Sequence, residues 1–199
     1  MDTNRLKSNK DLVRTLVILI VLAAVYRIIP GRPWGFAPQL AMAIFGGAAI
    51  KDKKWAFALP VFSMFLSDLL YQGLYTAGVT PIYGFYSGQW INYILVAAMV
   101  VFGFAIKKIN VVNVALAAIA APTAFFLLSN FITWSGMGGS GLRGLNRPLT
   151  PSGLFAALSD GLPFYGGSLA GTLFFSTLLF GGYYLFSRQK PASGALPAQ

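Results

Sequence analysis

Six runs of apolar residues, each close to the length that crosses a bilayer, limit what this chain can fold into. A crossing helix takes about 20 residues, within a range near 17 to 25. The runs fall at 12–29, 34–50, 55–71, 90–106, 111–132 and 165–186. Inside hydrocarbon every backbone N–H and C=O must find a partner within the protein, so such runs resolve into helices. The expected fold is all-α, a polytopic membrane protein of six transmembrane helices. It has an N-terminal arm at 1–11, a membrane domain at 12–186 and a disordered tail at 187–199. Only 10% of the residues are charged, against about a quarter in soluble proteins. The second run is the weakest, because Pro38 lies in its first turn, and a re-entrant half-span is its competing reading.

Charge decides between those readings. If all six runs cross, Arg5, Lys7, Lys10, Arg14, Lys51, Lys53, Lys54, Lys107, Lys108, Arg188 and Lys190 share one side. That is eleven of the fifteen basic residues, so the positive-inside rule makes this side, with both termini, cytoplasmic. The other side keeps Arg27, Arg32, Arg143 and Arg147. A re-entrant second run would throw the Lys51–Lys54 cluster to the wrong face, so a full crossing is expected. The first run is too long for a signal peptide and lacks a small-x-small cleavage site, which favours a retained helix.

The net charge of +10 is scattered between the apolar runs rather than gathered on one face, so no nucleic-acid partner is expected. The chain has neither Cys nor His. Thiolate metal sites, Cys nucleophiles and the commonest general base are thereby excluded, and no metal, cofactor or enzymatic activity is expected. The Gly138–Gly141 stretch, GGSG, has the form of a serine-protease motif but has no base to activate Ser140, since every lysine is expected across the membrane. A mobile gate is the simpler reading of those glycines.

All five acidic residues are Asp, and one of them, Asp68 in FLSDLLY, lies inside an apolar run. Thirteen residues beyond Trp55 place it about 20 Å up a helix, in the outer third of a core of roughly 30 Å. Arg27 reaches a similar depth on the first run. A charge at that depth needs a partner, so an Asp68–Arg27 pair is expected. It serves either to hold two helices together or to contact a ligand.

The connections on the outer side are the long ones, and long loops on a rigid scaffold commonly carry binding groups. Tyr71, Tyr75, Tyr83, Phe85, Tyr86 and Trp90 there read either as an interfacial aromatic belt or as a stacking lid over a planar ligand. Gly73, Gly78, Gly84 and Gly88 would let such a lid fold over a pocket. Arg143 and Arg147 could clamp a phosphate or carboxylate, or meet lipid headgroups. Thr150-Pro151 has the form of an N-cap followed by Pro at the first helical position. A short helix at the outer interface is expected from it, through Leu154, Phe155, Leu158 and Leu162. Gly166, Gly167, Ala170 and Gly171 read as a tight packing face on the sixth helix.

The stretches YRIIPGRPWGFAPQLAMAIFGGAAIKDKKWAFALPVFSMFLSDLLYQG and LLSNFITW give the chain a resemblance to small bacterial inner-membrane proteins classed as transport proteins of unknown function. These resemble the substrate-binding S components of energy-coupling-factor (ECF) vitamin transporters, including solitary cobalamin-transporting relatives. The likeness covers about 12–186. It implies an ECF S-component-like bundle in the bacterial cytoplasmic membrane, binding a small vitamin-like molecule, cobalamin among the candidates, under loops 1, 3 and 5. Arg27, Arg32, Asp68, Tyr71, Tyr83, Tyr86, Trp90, Asn130, Trp134, Arg143 and Arg147 are the expected substrate-binding residues. Relatives commonly carry His where this chain has Gly31-Arg32, and often Asp where it has Thr172. The other expected partners are membrane lipid and an ECF-type energising module, because no G-x-x-x-x-G-K-[ST] motif allows the chain to use ATP itself. The alternative is a structural or assembly membrane protein that binds lipid or a partner protein through its outer face.

Overall fold

The computed structural model describes residues 9–137 and 147–188. Among them the chain is all-helical, with seven helices: α1 (Asn9–Ile28), α2 (Gln39–Ala49), α3 (Lys53–Thr76), α4 (Gln89–Ala98), α5 (Val100–Phe104), α6 (Val111–Trp134) and α7 (Pro151–Arg188). Met99 alone separates α4 from α5, so the two form one rod over the expected fourth run. The segments Lys53–Thr76, Val111–Trp134 and Pro151–Leu185 are long and apolar enough to cross a membrane. The chain is a membrane protein.

Two expectations are corrected. The second run is not a full-length helix: α2 has 11 residues, about 16 Å at 1.5 Å per residue, roughly half of a hydrocarbon core. Pro38 sets its start, since it cannot donate a backbone hydrogen bond and restricts the residue before it. The expected short helix after Thr150 does not end before the sixth run. Instead α7 continues for 38 residues with Pro163 inside it. One internal Pro removes a single backbone hydrogen bond, which the packing along α6 outweighs here. The last described residue of α7 is Arg188. Residues 189–199 lie outside the described residues.

Short polar caps fix the turns at the lysine-bearing end. Asp52 accepts from the Lys54 N–H at 2.9 Å to start α3, and Asn110 accepts from the Asn113 N–H at 2.8 Å to start α6. At the other end, Thr150 Oγ1 accepts from the Gly153 N–H at 3.2 Å, so the expected cap on α7 is formed.

The core gathers around α2, which packs against α3, α5, α6 and α7. Leu40, Ala41, Met42, Ala43 and Ile44 are all buried. Glycines permit the closest crossings: a Cβ on Gly47 would strike the Val100 carbonyl, and one on Gly103 the Ile44 carbonyl. On α1, Leu16, Ala23 and Ala24 face inward, while Val17, Ile18, Val21, Leu22 and Val25 form an exposed apolar stripe.

The non-helical half of the second run is held by α7. Gly35, at φ 77, lies against the Phe164 carbonyl; Gly167 lies against the Trp34 carbonyl, and Gly171 within reach of Phe36 and Ala37. The small residues of the sixth run therefore receive a non-helical, turn-rich segment. Gly166 faces open space.

Candidate functional site

Asp68 is 2% exposed, and its carboxylate accepts three side-chain hydrogen bonds. Its Oδ1 accepts from Arg27 Nη1 at 2.5 Å, and its Oδ2 accepts from Tyr93 Oη at 2.6 Å and from Gln89 Nε2. Ser67 Oγ also accepts from Arg27 Nη1, at 2.5 Å. One carboxylate thus ties α1, α3 and α4 together with both oxygens engaged, which is how a charge is accommodated in apolar surroundings. The same corner closes the end of α1. The Arg27 carbonyl, left over in the last turn, accepts from Arg32 Nε at 2.7 Å and from Tyr71 Oη at 2.8 Å. A second pair, Arg147 Nη2 to Asp160 Oδ2 at 2.7 Å, joins the segment before α7 to its third turn at an exposed position.

Beside this corner lies a cavity of about 590 Å³. Its walls come from the 29–37 segment, the first residues of α2, α3, Ile82 of the 77–88 loop, α4, the C-terminal half of α6 and the first half of α7. Aliphatic side chains make up most of the apolar wall, with aromatic rings among them. Trp34 stacks on Phe164 with centroids 5.2 Å apart and planes at 11°, and Phe126 meets Tyr165 at 4.8 Å. The Tyr165 hydroxyl shares a 2.9 Å hydrogen bond with Thr123. Polar groups are few, among them Arg27, Arg32, Gln39, Asn92, Asn130 and Asp160. That mixture of apolar walls and sparse polar groups, at this volume, is characteristic of small-molecule sites.

Of the residues expected to bind substrate, Arg27, Arg32, Tyr71, Asn130, Trp134 and Arg147 line the cavity. Asp68 stands behind Arg27 and is not part of the lining. Tyr83, Tyr86 and Trp90 also lie outside it. On α4 the cavity face is Ile91, Asn92, Leu95 and Val96, and helical geometry turns Trp90, 61% exposed, to the opposite side. The 77–88 loop does place Ile82 on the cavity wall, and it is tied to α3. Gln72 Oε1 accepts from the Gly84 N–H at 3.2 Å and the Phe85 N–H at 3.4 Å, and Gly84 is packed against the Asp68 carbonyl. Arg143 and Gly138–Gly141 lie outside the described residues.

Sequence reasoning missed Gln39, Gln89, Tyr93, Trp34, Phe164 and Tyr165. Gln89 and Tyr93 carry a usable signal, being four apart and so on one face of a helix, opposite an apolar run that holds an acid. The ring residues carry none, since aromatics are spread through the whole chain.

The chain belongs to the family of unknown function DUF6580, which matches it over residues 7–193. No curated protein and no solved structure matches it.

Proposed function

We propose that this chain is an integral membrane substrate-binding and transport protein with an ECF S-component-like six-crossing bundle. It takes a small organic molecule into the cavity from outside and carries it inward. The observation that supports this reading is the cavity itself, whose volume lies in the range of drug-sized ligands and whose rings suit a flat body. It is too small to enclose a whole corrinoid, which favours a smaller vitamin-like molecule. Arg147 is neutralised by Asp160, which disfavours the lipid-clamp reading of that residue. Energy comes from a separate ATPase module or from the substrate's gradient and intracellular trapping.

Native mass spectrometry of protein purified in detergent tests the proposal. A discrete small-molecule adduct is expected. Lipid adducts alone would favour the structural or assembly reading instead.

In this proposal α2 and the turn-rich 29–38 segment together make the second crossing, with both termini cytoplasmic. Reporter fusions after Lys54, Lys108 and Arg188 should then report the cytoplasm, and fusions after Tyr83 and Met137 the outside. A cytoplasmic report at Met137 would overturn the six-crossing topology.

A further inference from the structure

Gln39 is the first residue of α2 and lines the cavity, yet it is 5% exposed and its Nε2 has no hydrogen-bond partner. Buried polar atoms are nearly always paired, so an unpaired donor beside a cavity marks a place where a ligand supplies the acceptor. Two independent features point to the same kind of acceptor. No side chain caps α2: the preceding residue is Pro38, and the first turn holds no acid. Its free N–H groups therefore present the positive end of the helix dipole, unscreened and buried. Arg32 also lines the cavity and pairs with no carboxylate among the described residues. It is held by the Arg27 and Phe36 carbonyls, at 2.7 Å and 3.2 Å, and Phe36 is only three residues before Gln39. The other two arginines of the lining are neutralised, Arg27 by Asp68 and Arg147 by Asp160. One positive charge thus stands uncompensated among the described lining residues.

Resting on the substrate-binding reading above, we propose that the ligand is an organic monocarboxylate with a flat apolar body. Its carboxylate is received by Arg32, Gln39 Nε2 and the N-terminus of α2, and its body lies along the rings of Phe126, Phe164 and Tyr165. A cationic ligand would meet the same sign of charge. A dianion would exceed the single free positive charge.

The test uses three probes that share one ring system and differ in charge: indole-3-acetate, indole-3-acetamide and tryptamine, titrated calorimetrically into the full chain in detergent at low salt. Indole-3-acetate should bind about tenfold or more tighter than the amide, the ratio expected from a charge-assisted hydrogen bond, and tryptamine should not bind. Arg32→Gln should remove most of the preference for acetate over amide. Gln39→Met, which keeps the shape and removes the unpaired donor, should weaken acetate binding about tenfold while the melting temperature without ligand stays level or rises. Equal binding of acetate and amide, a preference unchanged in both variants, or no saturable binding of any probe each overturns the proposal. Preferred binding of the amide or the amine would do so while leaving the substrate-binding reading intact. Absence of probe binding together with absence of any small-molecule adduct in native mass spectrometry would remove both.

Discussion

Arg27→Gln should destabilise the protein by about 3–5 kcal/mol, the cost of leaving a buried carboxylate without its cation. Asp68 is almost fully enclosed, so it cannot recover its loss from water. The reverse substitution should be milder, about 2 kcal/mol, for two reasons. Asn is nearly the shape of Asp, and Arg27, with 21% of its side chain exposed, can turn toward the cavity. The double variant Arg27→Gln/Asp68→Asn should recover part of the larger loss, giving a coupling energy between the sites. Denaturant or thermal unfolding in detergent reads all three. Strict additivity would show that the carboxylate is held by Gln89 and Tyr93 alone.

Gly35→Ala should be the next most damaging change, at about 2–5 kcal/mol. It adds a left-handed backbone penalty of about 1–2 kcal/mol to an overpacking penalty of about 1–3 kcal/mol. Its φ is 77, and a Cβ there would be driven into the Phe164 carbonyl and the Ser168 N–H. Two neighbours separate the causes. Gly31→Ala meets the same φ problem in open space and should show the backbone term alone, while Gly166→Ala meets nothing and should be neutral or slightly stabilising for a helix. Comparable melting temperatures for Gly35→Ala and Gly31→Ala would mean that the 34–37 segment does not seat on α7.

The Asp68–Arg27 contact was legible because rise per residue converts position in a run directly into depth, and two opposite charges at one depth in hydrocarbon have little choice of partner. The remainder of that node was not. Gln89 stands at the edge of its run, where a polar residue is unremarkable, and only the crossing of α3 and α4 carries it to the carboxylate. The half-length of α2 was hidden for a different reason. Apolar composition is the same whether a segment is helical or folded into turns, and the stronger signal, the Lys51–Lys54 cluster, speaks to which side the chain reaches and not to how it gets there. Pro38 held the correct warning. Pro163 lies inside α7 without ending it, since a proline within a long packed helix need not do so. Tyr83, Tyr86 and Trp90 could not be assigned to a cavity wall from sequence, because a rotation of about 100° per residue separates Trp90 from Ile91.

The seating of the 34–37 segment on Gly35, Gly167 and Gly171 also bears on how the protein is made. Synthesis runs from the N-terminus, so this turn-rich segment emerges well over a hundred residues before the helix that receives it. Eleven helical residues are too few to cross hydrocarbon alone, and the exposed backbone before them would be unpaired there. In a six-crossing protein the second hairpin arm must therefore wait near the headgroups, or in the shelter of the insertion machinery, until the last helix has been delivered. Chains cut short before Pro151 should leave that arm open to proteases and water-soluble labels, and the final quarter of the sequence then acts as the latch that completes the first quarter.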